Sequence, residues 1–380
     1  MAGTGNGRRG FRLRRAALCA VIGAALAAAA AACGTASPGQ AGLTAATAPP
    51  QTISEAGSSL LYPLMTTWAS AYQRQAAGVT VKTASTSSGK GIAAASAGSV
   101  DLGGTDAYLS SGDLVKKPAL LNIPLATAAQ TVIYNLPGVS AADHVRLDAA
   151  VLAGIYEGTI TTWDDPRIAA INPGASLPAD KIVPVYRADM SGDTFLFTSY
   201  LSTGSQSAPG TQWNREVGYG TTVAWPRVPG ALSEKGSLNV LHACASTPGC
   251  VAYNGISYLS QARAAGLGEA ELENYAGQYT LPTATAIQDS VASFVSLTPP
   301  NETISLIDGP SPTGYPIVNY EYAVVSSRQP TAAKASALRA FLTWVITKGN
   351  QASYLATVGF QPLPAALVTL GEQQIQEIGS

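Results

Sequence analysis

Histidine is almost missing from this chain: 380 residues contain only His144 and His242. Serine hydrolysis needs a base beside its nucleophile, and the Gly-x-Ser-x-Gly elbow that presents such a serine does not occur. Ser191 in the segment DMSGD therefore has no base that the sequence can name. Metal patterns are missing as well, with no His-x-x-His pair and no EF-hand loop. The segment STSSGKG contains Gly89 and Lys90, but Ala84 stands where a P-loop needs its first glycine and Gly91 where it needs Ser or Thr. With these gaps no enzyme is expected, no catalytic residue is assigned, and neither a metal nor a cofactor is expected.

Charge is also scarce, at 12% of residues against 46% hydrophobic, so the chain can bury a large core as two domains or one large one. Five of the 22 basic residues, Arg8, Arg9, Arg12, Arg14 and Arg15, precede an apolar stretch from Ala16 to Ala32. That order reads as a secretory signal over residues 1–32, too closely tied to its basic flank to be a lasting membrane span. Without it the chain carries 17 basic against 23 acidic residues, which offers no basic face to nucleic acid. An anion site here must work through local dipoles. No later run of about 18 apolar residues occurs, so nothing else spans a membrane.

Of four cysteines, Cys19 falls in the signal, and Cys33 follows Ala30-Ala31-Ala32 and precedes Gly34, as at the end of a bacterial lipobox. A lipid on Cys33 places the exported protein at the outer face of the cytoplasmic membrane; ordinary cleavage after Ala-x-Ala is the alternative. Residues 33–51, rich in Gly, Ala, Thr and Pro and without charge, then form a flexible tether. Cys244 and Cys250 are separated by ASTPG, whose Pro-Gly turn suits a small disulfide loop in an oxidising compartment. The alternative, a metal site, has only His242 nearby.

What is present is a recurring unit. Thr52-Ile53 followed by EAGSSLLYPLMTTWASAYQRQ reads as strand, Gly-Ser turn and helix; VTVKTAS leads into STSSGKGIAAASAG; VDLGGTD ends a short strand on an acid; IVPVYRADMSGDTFLFTSYLS repeats the first pattern. This is an α/β protein, and in open α/β sheets ligands sit beyond the carboxyl ends of the strands. Helix starts there offer unpaired N–H groups and the positive end of the dipole. Ser58, Ser59, Ser87, Ser88 and Ser191 stand at such turns, and Gly57, Gly89 and Gly192 let a ligand approach the backbone. Helix capping is the competing role for each serine. Arg187 adds a planar fork for an oxyanion. Two apolar β-type runs, 120–137 and 314–327, bracket a central block, as in a two-lobed protein whose chain crosses twice between lobes.

With AGSSLLYPLMTTWASAYQ, ASTSSGKG, VDLGGTDAYLS and IYEGTITTWDDPRIAAINPG followed by RADMSGDTF, the chain resembles the phosphate-binding proteins of bacterial phosphate ABC transporters, the PstS type, over nearly all of residues 52–365. The resemblance implies a type II periplasmic-binding-protein-like fold, with a ligand cleft between lobes joined by two crossover strands: 52–128 plus 320–380 as one lobe and 129–319 as the other. It implies capture of inorganic phosphate for a membrane permease, by a monomer that closes on its ligand. Carried over, the ligand set falls on Ser59, Leu60, Ser87, Asp106, Arg187, Ser191, Gly192 and Asp193, with Asp189 holding Arg187. Asp106 can only accept, so it demands a proton that phosphate retains and sulfate lacks. Leu60, Met190 and Asp193 depart from the family's usual Phe, Gly and Thr. Asp193 reads either as a first-turn acid serving the dipole of a helix over 194–202, or as the acceptor of a second ligand proton. Another oxyanion or an organic phosphate, a surface phosphatase, and an adhesin or sensor that has lost transport are the competing functions.

Overall fold

LLNIPLATAAQTVIY is apolar or small at most positions, the pattern of a strand covered on both faces. The computed structural model places it as one strand, buried along all 15 residues. Residues 50–206 and 210–380 are described. The expected signal segment, Cys33 with its lipid, and the tether up to residue 49 lie outside the described residues.

Among the described residues nine strands form one curled sheet: β1 (Gln51–Gly57), β2 (Val79–Lys82), β3 (Leu102–Thr105), β4 (Leu120–Tyr134), β5 (Val183–Arg187), β6 (Leu232–Glu234), β7 (Cys250–Gly255), β8 (Gly268–Glu269) and β9 (Val318–Ser326). Their order is β2-β1-β3-β9-β4-β7-β5-β6, with β8 paired to the end of β4. β1 runs parallel to β2 and β3, and β5 parallel to β6 and β7. Between these two parallel groups β9 is antiparallel to β3 and β4, and β4 to β7. β4 changes partner midway, pairing with β9 up to Ala129 and with β7 from Gln130 onward. β4 and β9 are the strands on which the chain crosses between halves.

Pro124 lies inside β4, where a missing N–H removes a ladder bond. The register slips at that point, so that Ala126 and Pro124 face the consecutive residues Glu321 and Tyr322 and Leu125 is the extra residue of a bulge. A bulge is where a central strand tolerates proline.

Five helices position the turns: α1 (Tyr62–Gln75), α2 (Ser88–Ser96), α3 (Gly192–Gly204), α4 (Ser237–Ala245) and α5 (Ala332–Ile346). α1 starts with Pro63 in its first turn and buries Leu64, Met65, Trp68 and Tyr72 on one face. Tyr72 meets Phe341 of α5 edge-on, with ring centroids 5.1 Å apart. α2 lies close against β3: a Cβ at Gly103 would stand 2.3 Å from the Gly91 carbonyl oxygen, so neither residue of this contact can be enlarged. Cys244 and Cys250 are bonded, tying the end of α4 to the start of β7. Among the described residues no helix is long and apolar enough to cross a membrane. The architecture is the two-lobed α/β arrangement, and the carboxyl ends of β1, β2, β3, β5 and β6 lead into the turns that build the site.

Candidate functional site

Arg187 ends β5 and is buried. Its Nε and Nη2 donate to the two oxygens of Asp189, at 2.7 and 2.6 Å, a bidentate fork. Nη1 donates to Ser59 Oγ at 3.1 Å, to Ser237 Oγ at 3.3 Å and to Asp193 Oδ2. Burial works against the charge of Arg187, but Asp189 and Asp193 hold its pKa above the ordinary value. Asp189, also opposed by burial, is kept below the usual carboxylate range by the same guanidinium.

Asp193 is buried in the first turn of α3. Besides Arg187, Ser237 Oγ donates to its Oδ2 at 2.8 Å and Gln130 Nε2 donates to its Oδ1 at 3.1 Å. Burial pushes its carboxyl above the usual range, and these donors oppose the rise. To a helix-start acid and a reader of ligand protons the geometry adds a third role: Asp193 is a second carboxylate on Arg187, bonded where an incoming anion would also bind.

Asp106 follows β3 directly. Ser58 Oγ donates to its Oδ1, its N–H donates to Ser88 Oγ at 3.4 Å, and the pairing of Tyr322 with Thr105 sets the buried Glu321 of β9 beside it. Burial pushes the Asp106 carboxyl up to about 7, with Asp193 adding to the rise and Glu321, Ser58 and Arg187 opposing it. Gly192 opens α3 opposite this carboxyl: a Cβ there would lie 2.4 Å from Asp106 Oδ2 and 2.5 Å from Ser88 Oγ. Only glycine fits.

The serines divide by role. Ser58 closes the turn before α1, its hydroxyl accepting from the Leu61 N–H at 3.0 Å, and α1 itself has no side-chain cap. Ser59 Oγ contacts Ser237 Oγ at 2.7 Å across the cleft. Ser87 and Ser191 immediately precede α2 and α3, yet neither hydroxyl caps its helix, and each is buried without a hydrogen-bond partner. A buried hydroxyl left unpaired costs about 1–3 kcal/mol, so two of them at adjacent helix starts call for an acceptor. The first-turn N–H groups of α2 and α3 add the positive ends of two dipoles to the same place.

The two halves meet around this cradle. Leu60 is buried, its carbonyl accepting from Ser257 Oγ at 2.8 Å, and the Ser59 carbonyl accepts from the Tyr258 hydroxyl at 3.0 Å. Gly89 N–H donates to the Met190 carbonyl at 2.9 Å, and the Met190 side chain stands half-exposed at the rim. Outside lies a cleft of about 550 Å³, lined by Ser59, Lys90, Asp189, Met190, Lys235 and Ser237 among others.

The structure links Ser59, Asp189 and Asp193 through Arg187, sets Gly192 against Asp106, leaves the Ser87 and Ser191 hydroxyls unpaired and bonds the Leu60 carbonyl to Ser257, and it adds three residues that sequence reasoning missed: Ser237, Gln130 and Glu321. Ser237 carried a signal, because SEKGSLNV repeats the strand, glycine, serine, helix order. Glu321 carried one too, as the single acid inside the apolar run PIVNYEYAVV. Gln130 had none. Among the described residues, no group of three His, Cys, Asp or Glu is placed to hold a metal ion. The arrangement can replace the water shell of a small oxyanion with fixed donors, and it offers one carboxylate to accept a hydrogen bond from a protonated oxygen of that anion.

Comparison with known proteins follows the same lines. The profile of the PBP superfamily domain matches residues 43–348. The phosphate-binding protein PstS of Methanocaldococcus jannaschii is 34% identical, over 82% of this chain and 82% of its own length. That of Pasteurella multocida is 30% identical, over 84% and 88%. Among solved structures, a high-affinity periplasmic phosphate-binding protein bound with phosphate superposes with a TM-score of 0.66 at 22% identity, covering 87% of this chain and 99% of the other. The phosphate-binding protein of Stenotrophomonas maltophilia gives 0.61 at 20%, covering 85% and 93%. Fold and sequence agree: the chain belongs to the PBP superfamily, in the family of PstS phosphate-binding proteins.

Proposed function

We propose that the chain captures inorganic phosphate outside the cytoplasm and presents it to the permease of a phosphate ABC importer, without catalysis. One observation carries this reading: the buried, unpartnered hydroxyls of Ser87 and Ser191, at two helix starts beside the acceptor Asp106. The ligand set is Ser59, Leu60, Ser87, Asp106, Arg187, Ser191, Gly192 and Asp193, with Asp189 orienting Arg187. Residues 52–128 with 320–380 form one lobe and 129–319 the other, and they close about β4 and β9. A lipid on Cys33 holds the monomer at the outer face of the membrane. Solute-binding families are not enzyme families, and the carboxylates around Arg187 are spent on hydrogen bonds that orient it rather than on activating Ser191.

Ser87→Ala and Ser191→Ala test the reading. Each removes one donor to a charged ligand, so phosphate affinity falls about 10- to 100-fold by calorimetry while the melting temperature holds or rises. Unchanged affinity in both variants removes these serines from the ligand set. The cleft of about 550 Å³ outside the cradle favours one second reading, a phosphate ester whose organic part fills it. Titration with small phosphate esters separates the two, since only that reading has them outcompete inorganic phosphate.

A further inference from the structure

We propose that Tyr108 and Phe195 are positioning residues for the anion cradle: an aromatic clasp across the cleft that keeps it shut and sets how slowly phosphate leaves. The inference rests on the phosphate reading and on the lobes proposed above. Tyr108 closely follows Asp106 in the turn after β3, in the first lobe. Phe195 lies on α3, one helical turn on from Ser191, in the second. Their rings meet edge-on, with centroids 5.4 Å apart and planes at 90°, a favoured geometry for aromatic pairs. Tyr219, in the segment between α3 and β6, meets Phe195 in turn with centroids 5.9 Å apart, and is 60% exposed. The row of rings thus runs from the half-buried Tyr108 and Phe195 out to solvent.

Each ring is tied to a part of the cradle. Tyr108 shares its turn with Asp106. The Phe195 N–H donates to the Ser191 carbonyl at 3.2 Å, so the ring rides on the helical turn that carries the Ser191 hydroxyl. The Tyr219 segment is anchored to α3 as well: the Ser191 N–H donates to the Thr221 carbonyl at 2.8 Å, and the Gly220 N–H to Thr198 Oγ1 at 3.2 Å. Closing Tyr108 on Phe195 therefore brings the Asp106 turn against the start of α3, the approach that sets Gly192 opposite the Asp106 carboxyl. Polar contacts across the cleft, such as Arg187 on Ser59 and Gly89 on Met190, exchange for water when the lobes part. The aromatic contact does not, because parting exposes two apolar ring surfaces. The clasp favours the closed form over the open one, and it is missing from the open form that the anion enters. It acts on release more than on capture.

The test follows radiolabelled phosphate bound to the protein and chased with excess unlabelled phosphate, alongside calorimetric affinities, for wild type, Tyr108→Ala, Phe195→Ala, the double variant and Tyr108→Phe. Each alanine variant is expected to release phosphate about tenfold faster, with the association rate unchanged within about threefold. The double variant falls short of the product of the two single effects by about 2- to 10-fold, a coupling that separate structural roles for the two rings do not produce. Tyr108→Phe keeps the ring and releases at the wild-type rate. Phe195→Ala also loses the Tyr219 contact, so if it does not fold, Tyr108→Ala against Tyr108→Phe carries the test. Equal release from wild type and Tyr108→Ala, fully multiplicative effects in the double variant, or a loss of affinity carried by slower association overturns the clasp. Wild type that binds no phosphate overturns the phosphate reading itself.

Discussion

Asp106→Asn is expected to raise sulfate affinity by roughly 100-fold or more near pH 8, while phosphate affinity changes by less than about tenfold. A site that confronts an acceptor with an acceptor rejects the wrong ligand by several orders of magnitude, because neither group recovers the hydrogen bonds it had in water. Asn removes that conflict. Its amide can turn Nδ2 toward a sulfate oxygen or Oδ1 toward the phosphate proton, so both anions find a complement. The rest of the cradle stays as it is, with Ser58 and Ser88 still bonded around residue 106 and Gly192 leaving room opposite. Competition between the two anions, measured at fixed pH, reads the effect directly. Sulfate affinity that stays at the wild-type level places discrimination somewhere other than at Asp106.

Asp193→Thr is expected to raise phosphate affinity by roughly tenfold or more at about pH 8 and to flatten its dependence on pH. In wild type the Asp193 carboxylate holds Nη1 of Arg187 and the Ser237 hydroxyl, two donors that suit an anion. A like charge held close to a bound anion costs about 4 kcal/mol at 4 Å for an effective dielectric near 20, so even a fraction of that exceeds the tenfold threshold. The sign with pH follows from burial. Because Asp193 and Asp106 both sit above the ordinary carboxylate range, their protonated forms are favoured as pH falls, and negative charge builds in the site as it rises. Affinity for a dianion in wild type therefore declines toward alkaline pH, and the threonine variant, which removes one titrating group and supplies a hydroxyl donor, loses part of that decline. Arg187 keeps its bidentate partner Asp189, so the guanidinium is not left bare. A fall in affinity with the pH slope retained identifies Asp193 as a group that positions Arg187.

Much of this was legible before any coordinates. The strand, Ser-Gly turn and helix order around Ser59, Ser87 and Ser191 is local, since it depends on alternation, turn chemistry and helix starts that neighbouring residues specify. The continuous apolar run of β4 likewise announces a strand covered on both faces. Disulfide pairing followed from two cysteines flanking one Pro-Gly turn. What the sequence could not separate was local turn bonding from an unpaired hydroxyl: Ser58 accepts from the Leu61 N–H in the turn before α1 and Ser191 has no partner, although both precede helices, because the difference lies in rotamers set by tertiary neighbours. Asp193 was read from the helix it begins, whereas its partners Gln130 and Ser237 come from β4 and α4, 63 and 44 residues away in sequence. Glu321 was one acid in an apolar run, and its meaning depends on β9 lying antiparallel to β3, which brings Tyr322 opposite Thr105 and so sets Glu321 beside Asp106.

The central claim is that a cradle of fixed donors with one acceptor carboxylate binds inorganic phosphate and excludes sulfate. Calorimetric titration of the wild-type chain with each anion near about pH 8 tests it most directly. The expected result is one phosphate bound per chain with sulfate at least about 1,000-fold weaker; no heat from phosphate, or sulfate binding as tightly as phosphate, contradicts it.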